Sequence, residues 1–276
     1  MKPAAFDYAR PDTMDEAFDL LEHHGNDAQI LAGGQSLAAM LNMRLASPRI
    51  LVDITRIEAL RTVGTFDGAV DVGATVTQDR LLRWPGLTTQ PLLTTVLPWI
   101  GHPQTRQRGT VCGSLAHGDP SSELPLVLAT LGGRVILSNA KRTRTLSAAK
   151  FQTGAMRTAL EPGEMIVSAR FPTAQEGQVY RFHEVSPRRG DFAIVAVAVV
   201  ADSEGVTVGV GGVADTPSVR RIEWLETDAF TDAMNEFAWD LHATNDVHAT
   251  AETRRGLVRR LGAKLIEEAR DALSLC

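Results

Sequence analysis

The chain has 276 residues, 44% of them hydrophobic, enough to bury a sizeable core in two or three compact units. Its 28 basic and 33 acidic side chains leave a net charge of −5 with no Lys/Arg block, which indicates neither nucleic acid nor an anionic membrane as a partner. No apolar run approaches ~20 residues and no basic leader precedes one, so neither a membrane span nor a signal peptide is expected and the location is read as cytoplasmic; two cysteines, Cys112 and Cys276, are too few for a disulfide framework or for an iron–sulfur cluster held by this chain.

The first elements are well punctuated. Phe6 to Pro11 is extended, and Thr13-Met14-Asp15-Glu16 forms a capping-box pattern that opens an amphipathic helix running to Gly25. Asp27 to Leu31 reads as a strand. It leads into Ile30 to Leu45, where the Gly33-Gly34 pair turns the chain and Leu37, Met40, Leu41 and Leu45 recur at helical spacing. The unpaired amides at the start of such a helix attract anions, and the glycines leave room for a phosphate to approach. Ordinary strand-to-helix packing shows the same pattern, and neither the dinucleotide fingerprint nor a P-loop is matched. Ile50 to Ile54 closes the unit as a second strand, giving a small parallel strand–helix–strand arrangement.

From about Leu60 a second unit begins, with a strand at Ala69 to Ala74, a helical segment at Gln78 to Leu82 and a proline-punctuated stretch from Pro85 to Pro103. Ile100 to Leu126 is rich in Gly, Pro, Ser and His and reads as a functional loop. A short buried helix, Leu126 to Leu131, stops at Gly132-Gly133, and strands are expected at Arg134 to Leu137 and Ile166 to Phe171. A polar stretch at Pro172 to Gln178 marks a boundary. Beyond it, Val179 to Val185, Phe192 to Ala201 and Val206 to Val213 read as three strands, followed by two helices. The last helix, Glu252 to Leu273, carries Leu257, Leu261, Leu265, Ile266 and Ala269 on one side, with Arg254, Arg255, Arg259 and Arg260 expected on a solvated or partner-facing side.

The side chains exclude several chemistries. There is no HExxH pattern, His242 and His248 are too far apart for one helical face, and neither cysteine has a ligand partner nearby, so no metal site is expected. Gly113-Ser114-Leu115 lacks the frame of a serine nucleophile. Gly209-Val210-Gly211-Gly212 precedes Pro217 rather than a helix and reads as a strand-to-turn transition. What remains is a pair of glycine-bearing loops, Ala32 to Ser36 and Thr110 to Ser114. They are either unrelated or two halves of a site for one pyrophosphate.

Taken together, AGGQSL at Ala32 to Leu37, VDI at Val52 to Ile54, RGTVCGSLAHGDPSSELP at Arg108 to Pro125 and EVSPRRGDFAIV at Glu184 to Val195 resemble the FAD-binding medium subunit of molybdenum hydroxylases, the carbon monoxide dehydrogenase and xanthine dehydrogenase group. The resemblance implies an α+β protein. An FAD-binding domain of the vanillyl-alcohol-oxidase/PCMH type, with two α/β-type subdomains, would cover 1–173 (about 1–58 and 59–173). A C-terminal α+β domain with a three-stranded antiparallel sheet and helices would cover 174–276.

It also implies that Ala32, Gly33, Gly34, Gln35 and Ser36 hold the FAD diphosphate and that Thr110, Gly113 and Ser114 close over it. Cys112 replaces a glycine of the usual pattern, and a backbone with φ < 0 is expected there, since φ > 0 would cost a side chain roughly 1–2 kcal/mol. Glu123 takes the position of an acidic residue that accepts from sugar or ribityl hydroxyls, although a carboxylate at a helix start is also explained by the dipole alone. Ile100 and Ile166 would line the flavin pocket, and His183 stands where some relatives have Lys beside the flavin.

The function implied is electron transfer in a heterohexameric complex. A large subunit with the molybdenum cofactor and a small subunit with [2Fe–2S] clusters would pass electrons to the FAD, and no catalytic residue is expected in this chain. The alternative is a stand-alone flavoenzyme, for which His117 and His183 are the only candidate bases.

Overall fold

The computed structural model describes residues 2–224 and 227–274, so Cys276 lies outside the described residues. The chain opens with β1 (Asp7–Ala9), α1 (Met14–His24), β2 (Ala28–Leu31), α2 (Leu37–Asn42) and β3 (Ile50–Asp53). Thr13 caps α1, its hydroxyl accepting from the Glu16 amide at 3.2 Å, and the Glu16 carboxylate reaches back to the Asp12 amide at 2.9 Å. The three strands form a parallel sheet in the order β1-β3-β2. α2 is shorter than its spacing predicts. Arg44 takes a positive φ of 59°, which ends the helical course, and Leu45, expected on the apolar stripe, is exposed.

A five-stranded antiparallel sheet follows, in the order β4-β5-β10-β6-β7, from β4 (Val63–Phe66), β5 (Ala69–Gly73), β6 (Arg134–Ser138), β7 (Thr143–Ser147) and β10 (Met165–Pro172). Between β5 and β6 lie α3 (Gln78–Leu82), α4 (Pro91–Val96), α5 (Pro103–Arg108), α6 (Val111–His117) and α7 (Glu123–Thr130). Between β7 and β10 lie α8 (Ala148–Phe151) and the hairpin β8 (Gln152–Gly154) and β9 (Arg157–Thr158). The stretch Ile100 to Leu126, expected as a loop, is therefore largely helical. Thr110 caps α6, and Gly118 ends it in the left-handed conformation. Helices this short fall below the window over which apolar periodicity can be read.

The last module is an antiparallel meander, β11 (Val179–Val185), β12 (Val195–Ala201), β13 (Gly205–Gly211) and β14 (Ser218–Glu223), with α9 (Thr227–Asp240) and α10 (Ala251–Leu273). It has four strands, not three. β14 escapes a search for apolar alternation because Arg220 and Arg221 sit in it, paired with Asp240 and Asp202. β12 is buried at all seven positions, since Val195, Val197 and Val199 face α9 and α10 while Ala196, Ala198 and Val200 face the rest of the chain. That two-sided burial is why its sequence is a continuous apolar run. Thr130 and Leu126 of α7 lie directly over the bare Cα of Gly209, so the helix seats closely on the sheet.

Candidate functional site

The parallel strands β2 and β3 end side by side, Leu31 opposite Asp53, and the turn Ala32 to Ser36 leaves from that carboxyl end, where open α/β sheets form their binding crevice. Gly34 has a φ of 72°, a conformation that disfavours any side chain. Gly33 is needed for a different reason. A Cβ there would run into the Arg108 carbonyl oxygen and lie 2.9 Å from the Gly109 Cα, so the first turn touches the residues that open the second.

The second turn is tied to the strand side of its own module. The Gln78 amide donates to the Gly109 carbonyl at 2.8 Å, and the Val111 amide donates to the Val76 carbonyl at 3.1 Å. Thr110 caps α6 by accepting from the Gly113 amide at 3.0 Å, and a Cβ on Gly113 would stand 2.5 Å from that hydroxyl oxygen. Cys112 lies inside α6 and is absent from the positive-φ positions, as the expectation of φ < 0 required. Its thiol points into the core and donates to the Val72 carbonyl at 3.4 Å, and burial pushes the thiol pKa up. Replacing glycine here costs no left-handed strain, and the sulfur faces away from the turn.

A cavity of about 1010 Å³ opens between the two turns, at the top of the ~300–1,000 Å³ range of small-molecule sites. Ala32, Gly33, Gly34, Gln35 and Ser36 line it from one side and Thr110, Gly113 and Ser114 from the other, with Ile100, Glu123 and Ile166 completing the wall. A register shift in β10 between Ile166 and Ser168 sets the direction of Ile166. His183 is not among the lining residues. Its ring packs edge-on against Trp99, 5.7 Å between centroids, so the structure does not bring it into the cavity as the sequence suggested. His117 does line the cavity.

Glu123 is 5% exposed at the first turn of α7, and burial raises its pKa to about 7, with Asp119 adding to the rise and its own backbone amide opposing it. The Gln78 side-chain oxygen is buried in the same wall without a hydrogen-bond partner. Nothing in the sequence marked Gln78, which looks like an ordinary helix-start residue. The last module also closes on the site. A Cβ at Gly190 would lie 2.9 Å from the Gly101 carbonyl oxygen, and Phe192, Asp246 and His248 line the cavity.

Arg254, expected on a solvated helix face, is instead 3% exposed and also lines the cavity. Its guanidinium donates to the Ile194 carbonyl at 2.6 Å and to the Gly212 carbonyl, and pairs with Asp246. A helical arginine inside an otherwise charged face gives no sequence signal that it points inward. Among the described residues no group of three or more His, Cys, Asp or Glu is placed to hold a metal ion, and no helix is long and apolar enough to cross a membrane.

Known proteins resemble this chain in sequence and in fold. The family described as "FAD binding domain in molybdopterin dehydrogenase" matches residues 4–174. The alpha subunit of the 6-hydroxypseudooxynicotine dehydrogenase complex of Paenarthrobacter nicotinovorans is 34% identical over 98% of this chain and 97% of its own length. Among solved structures, quinoline 2-oxidoreductase from Pseudomonas putida 86 superposes with a TM-score of 0.92 at 29% identity, covering 99% of each chain. Reconstituted CO dehydrogenase from Oligotropha carboxidovorans superposes with a TM-score of 0.93 at 30% identity, covering 98% of this chain and 99% of that one. A family match across well over half the chain, a relative similar along its whole length and solved structures that superpose along the whole chain agree: the chain belongs to the FAD-binding medium-subunit family of the molybdenum hydroxylases.

Proposed function

We propose that this chain is the electron-transfer subunit of a multi-subunit molybdenum hydroxylase. It would take electrons from the [2Fe–2S] clusters of a small subunit, while a large subunit with the molybdenum cofactor hydroxylates the substrate, and it would pass them to an external acceptor. The observation that carries the reading is the contact of the Gly33 turn with Arg108 and Gly109, which makes one anion cradle of two loops distant in sequence. The residues present fit FAD. Bare Cα positions let a phosphate approach, the Gln78 amide oxygen is an orphaned polar atom in the wall, and buried Glu123 offers an acceptor for hydroxyls.

When bound, FAD supplies the redox chemistry, and the protein's share is to bind, orient and shield it. In this reading Ala32 to Ser36 and Thr110, Gly113 and Ser114 hold the diphosphate, Glu123 accepts from a sugar or ribityl hydroxyl, and Ile100 and Ile166 pack on the ring system. His183, outside the cavity, acts only through Trp99. We place the FAD-binding domain at 1–173, with subdomains of about 1–58 and 59–173, and the C-terminal domain at 174–276. The family match ending at 174 and the gap between β10 and β11 support that division.

The similar proteins are named for 6-hydroxypseudooxynicotine, quinoline and CO on one architecture, which supports placing substrate choice in another subunit. The test is purification of the native complex. Molybdenum- and iron-containing partners should co-purify, and the substrate of the complex should bleach the flavin bands without added carrier. A chain that purifies alone and turns over its own substrate would contradict the reading.

A further inference from the structure

Glu184 is a buried acid that the reading above does not use. It sits on β11 opposite Ala196 of β12, on the side of the strand shared with Tyr180 and Phe182, which pack onto the rest of the chain. It is 4% exposed, and both carboxyl oxygens are buried without a hydrogen-bond partner. The neighbouring charge that acts on it is Glu123, across the interface between α7 and the last sheet. Among the described residues neither carboxyl forms an ion pair with a cation. Asp119, also negative, adds to the rise at Glu123.

The row Glu184–Ala196–Gly211 crosses β11, β12 and β13 and ends under Leu126 and the Pro120 carbonyl, which bracket Glu123 at the start of α7. Two buried carboxyls at one interface without a cation cannot both be ionised at low cost, so the pair retains a proton. The two sides are not equivalent. Glu123 stands at the first turn of an eight-residue helix, with its own amide turned to the carboxylate and one side open to the cavity. Glu184 has neither an amide nor cavity exposure. The negative charge therefore belongs on Glu123 and the proton on Glu184. Burial and Glu123 raise the Glu184 pKa to about 8, above the value of about 7 at Glu123, in the same order.

We propose that Glu184 is the proton-bearing member of a Glu123–Glu184 carboxyl pair, a positioning residue whose neutrality keeps Glu123 an ionised acceptor for a hydroxyl of the bound cofactor. This rests on the assignment of the cavity to FAD. Ionising Glu184 places a second buried charge behind Glu123 and loosens the interface that forms the cavity wall. FAD retention is then lost on the alkaline side as Glu184 ionises, and weakened on the acid side as Glu123 protonates.

The experiment follows the infrared carbonyl band of protonated carboxyl groups in the full chain, together with FAD retention, from roughly pH 6 to pH 9. Wild type should show a protonated carboxyl that titrates in this window, and an alkaline limb on which the FAD dissociation constant rises about tenfold. Glu184→Gln should remove the component of the band that titrates near 8, leave only that of Glu123, and flatten the limb. Glu184→Met, neutral and without a hydrogen-bonding head, serves if the glutamine variant does not fold. A carboxyl band in the window that is the same in wild type and in a Glu184 variant overturns the proposal, as does an alkaline limb that survives in a neutral variant. A wild-type chain that retains no FAD at any pH overturns the FAD assignment instead, whatever the band does.

Discussion

Gly33 and Cys112 show how differently two positions in paired turns are constrained. At Gly33 the obstacle is backbone, the Arg108 carbonyl, which no side-chain rotation can move aside. Gly33→Val is therefore expected to push the turns apart and weaken FAD binding by about a hundredfold, close to 3 kcal/mol, with circular dichroism unchanged. Fluorescence titration of the unliganded chain measures it. At Cys112 the substitution that restores the family glycine should bring no gain. The residue is helical and buried, so Cys112→Gly loses packing and helix propensity, roughly 1–2 kcal/mol, seen as a Tm lower by a few degrees with FAD affinity unchanged. The glycine pair was visible as a strand-to-helix turn, a pattern that ordinary packing shares, and only the tertiary structure shows its contact with Arg108 and Gly109. Gln78 was not legible, because a buried amide acceptor on a short helix looks like any polar first-turn residue until its surroundings are known.

Elements were legible where apolar periodicity and end signals coincide, as in α1 with its capping box and in the two-sided run of β12. β4 was missed although Asp67-Gly68, both at positive φ, forms the hairpin turn that joins it to β5. Its residues Val63 to Phe66 alternate too weakly to announce a strand, and the dipeptide was the available signal. α10 was located correctly, but its Arg254 was assigned to the wrong face, because its partners are two backbone carbonyls and Asp246, which only the tertiary structure brings near. Arg254→Ala should leave those acceptors unpaired and destabilise the chain by about 3 kcal/mol, at the low end of the range for buried pairs because Asp246 is partly exposed. A lower urea midpoint with an unchanged slope would bear this out.

The interface between α7 and the last sheet also sets a pH dependence. Glu123 and Glu184 have pKa values raised from the ordinary 4.5, so the folded chain keeps protons that the unfolded chain releases. Their contribution to stability is complete below about pH 4.5 and is lost as pH rises through about 7 to 8. The Tm difference between Glu184→Gln and wild type should accordingly grow in favour of the variant from pH 6 towards pH 9, and a difference independent of pH would contradict it.

As a whole, the molecule divides its labour between a two-turn cradle and a closing module. The cradle comes from the parallel sheet and the α5–α6 region, and the last sheet and α10 supply the remaining wall through Gly190, Phe192 and Arg254. The change of sequence pattern near Pro172 falls between the five-stranded sheet and the β11–β14 meander. The return of the C-terminal part to the cavity could not be read from the sequence, because contacts between distant segments leave no local periodicity.

In the proposed function both turns grip one FAD and hold it throughout turnover. The most direct measurement is the FAD content of the purified native complex, extracted and quantified against this chain, for wild type and for Gly33→Val. The account predicts stoichiometric FAD in wild type and near-complete loss in the variant, with the complex still assembled. A native complex that is colourless, or a variant that keeps its full complement of FAD, would contradict it.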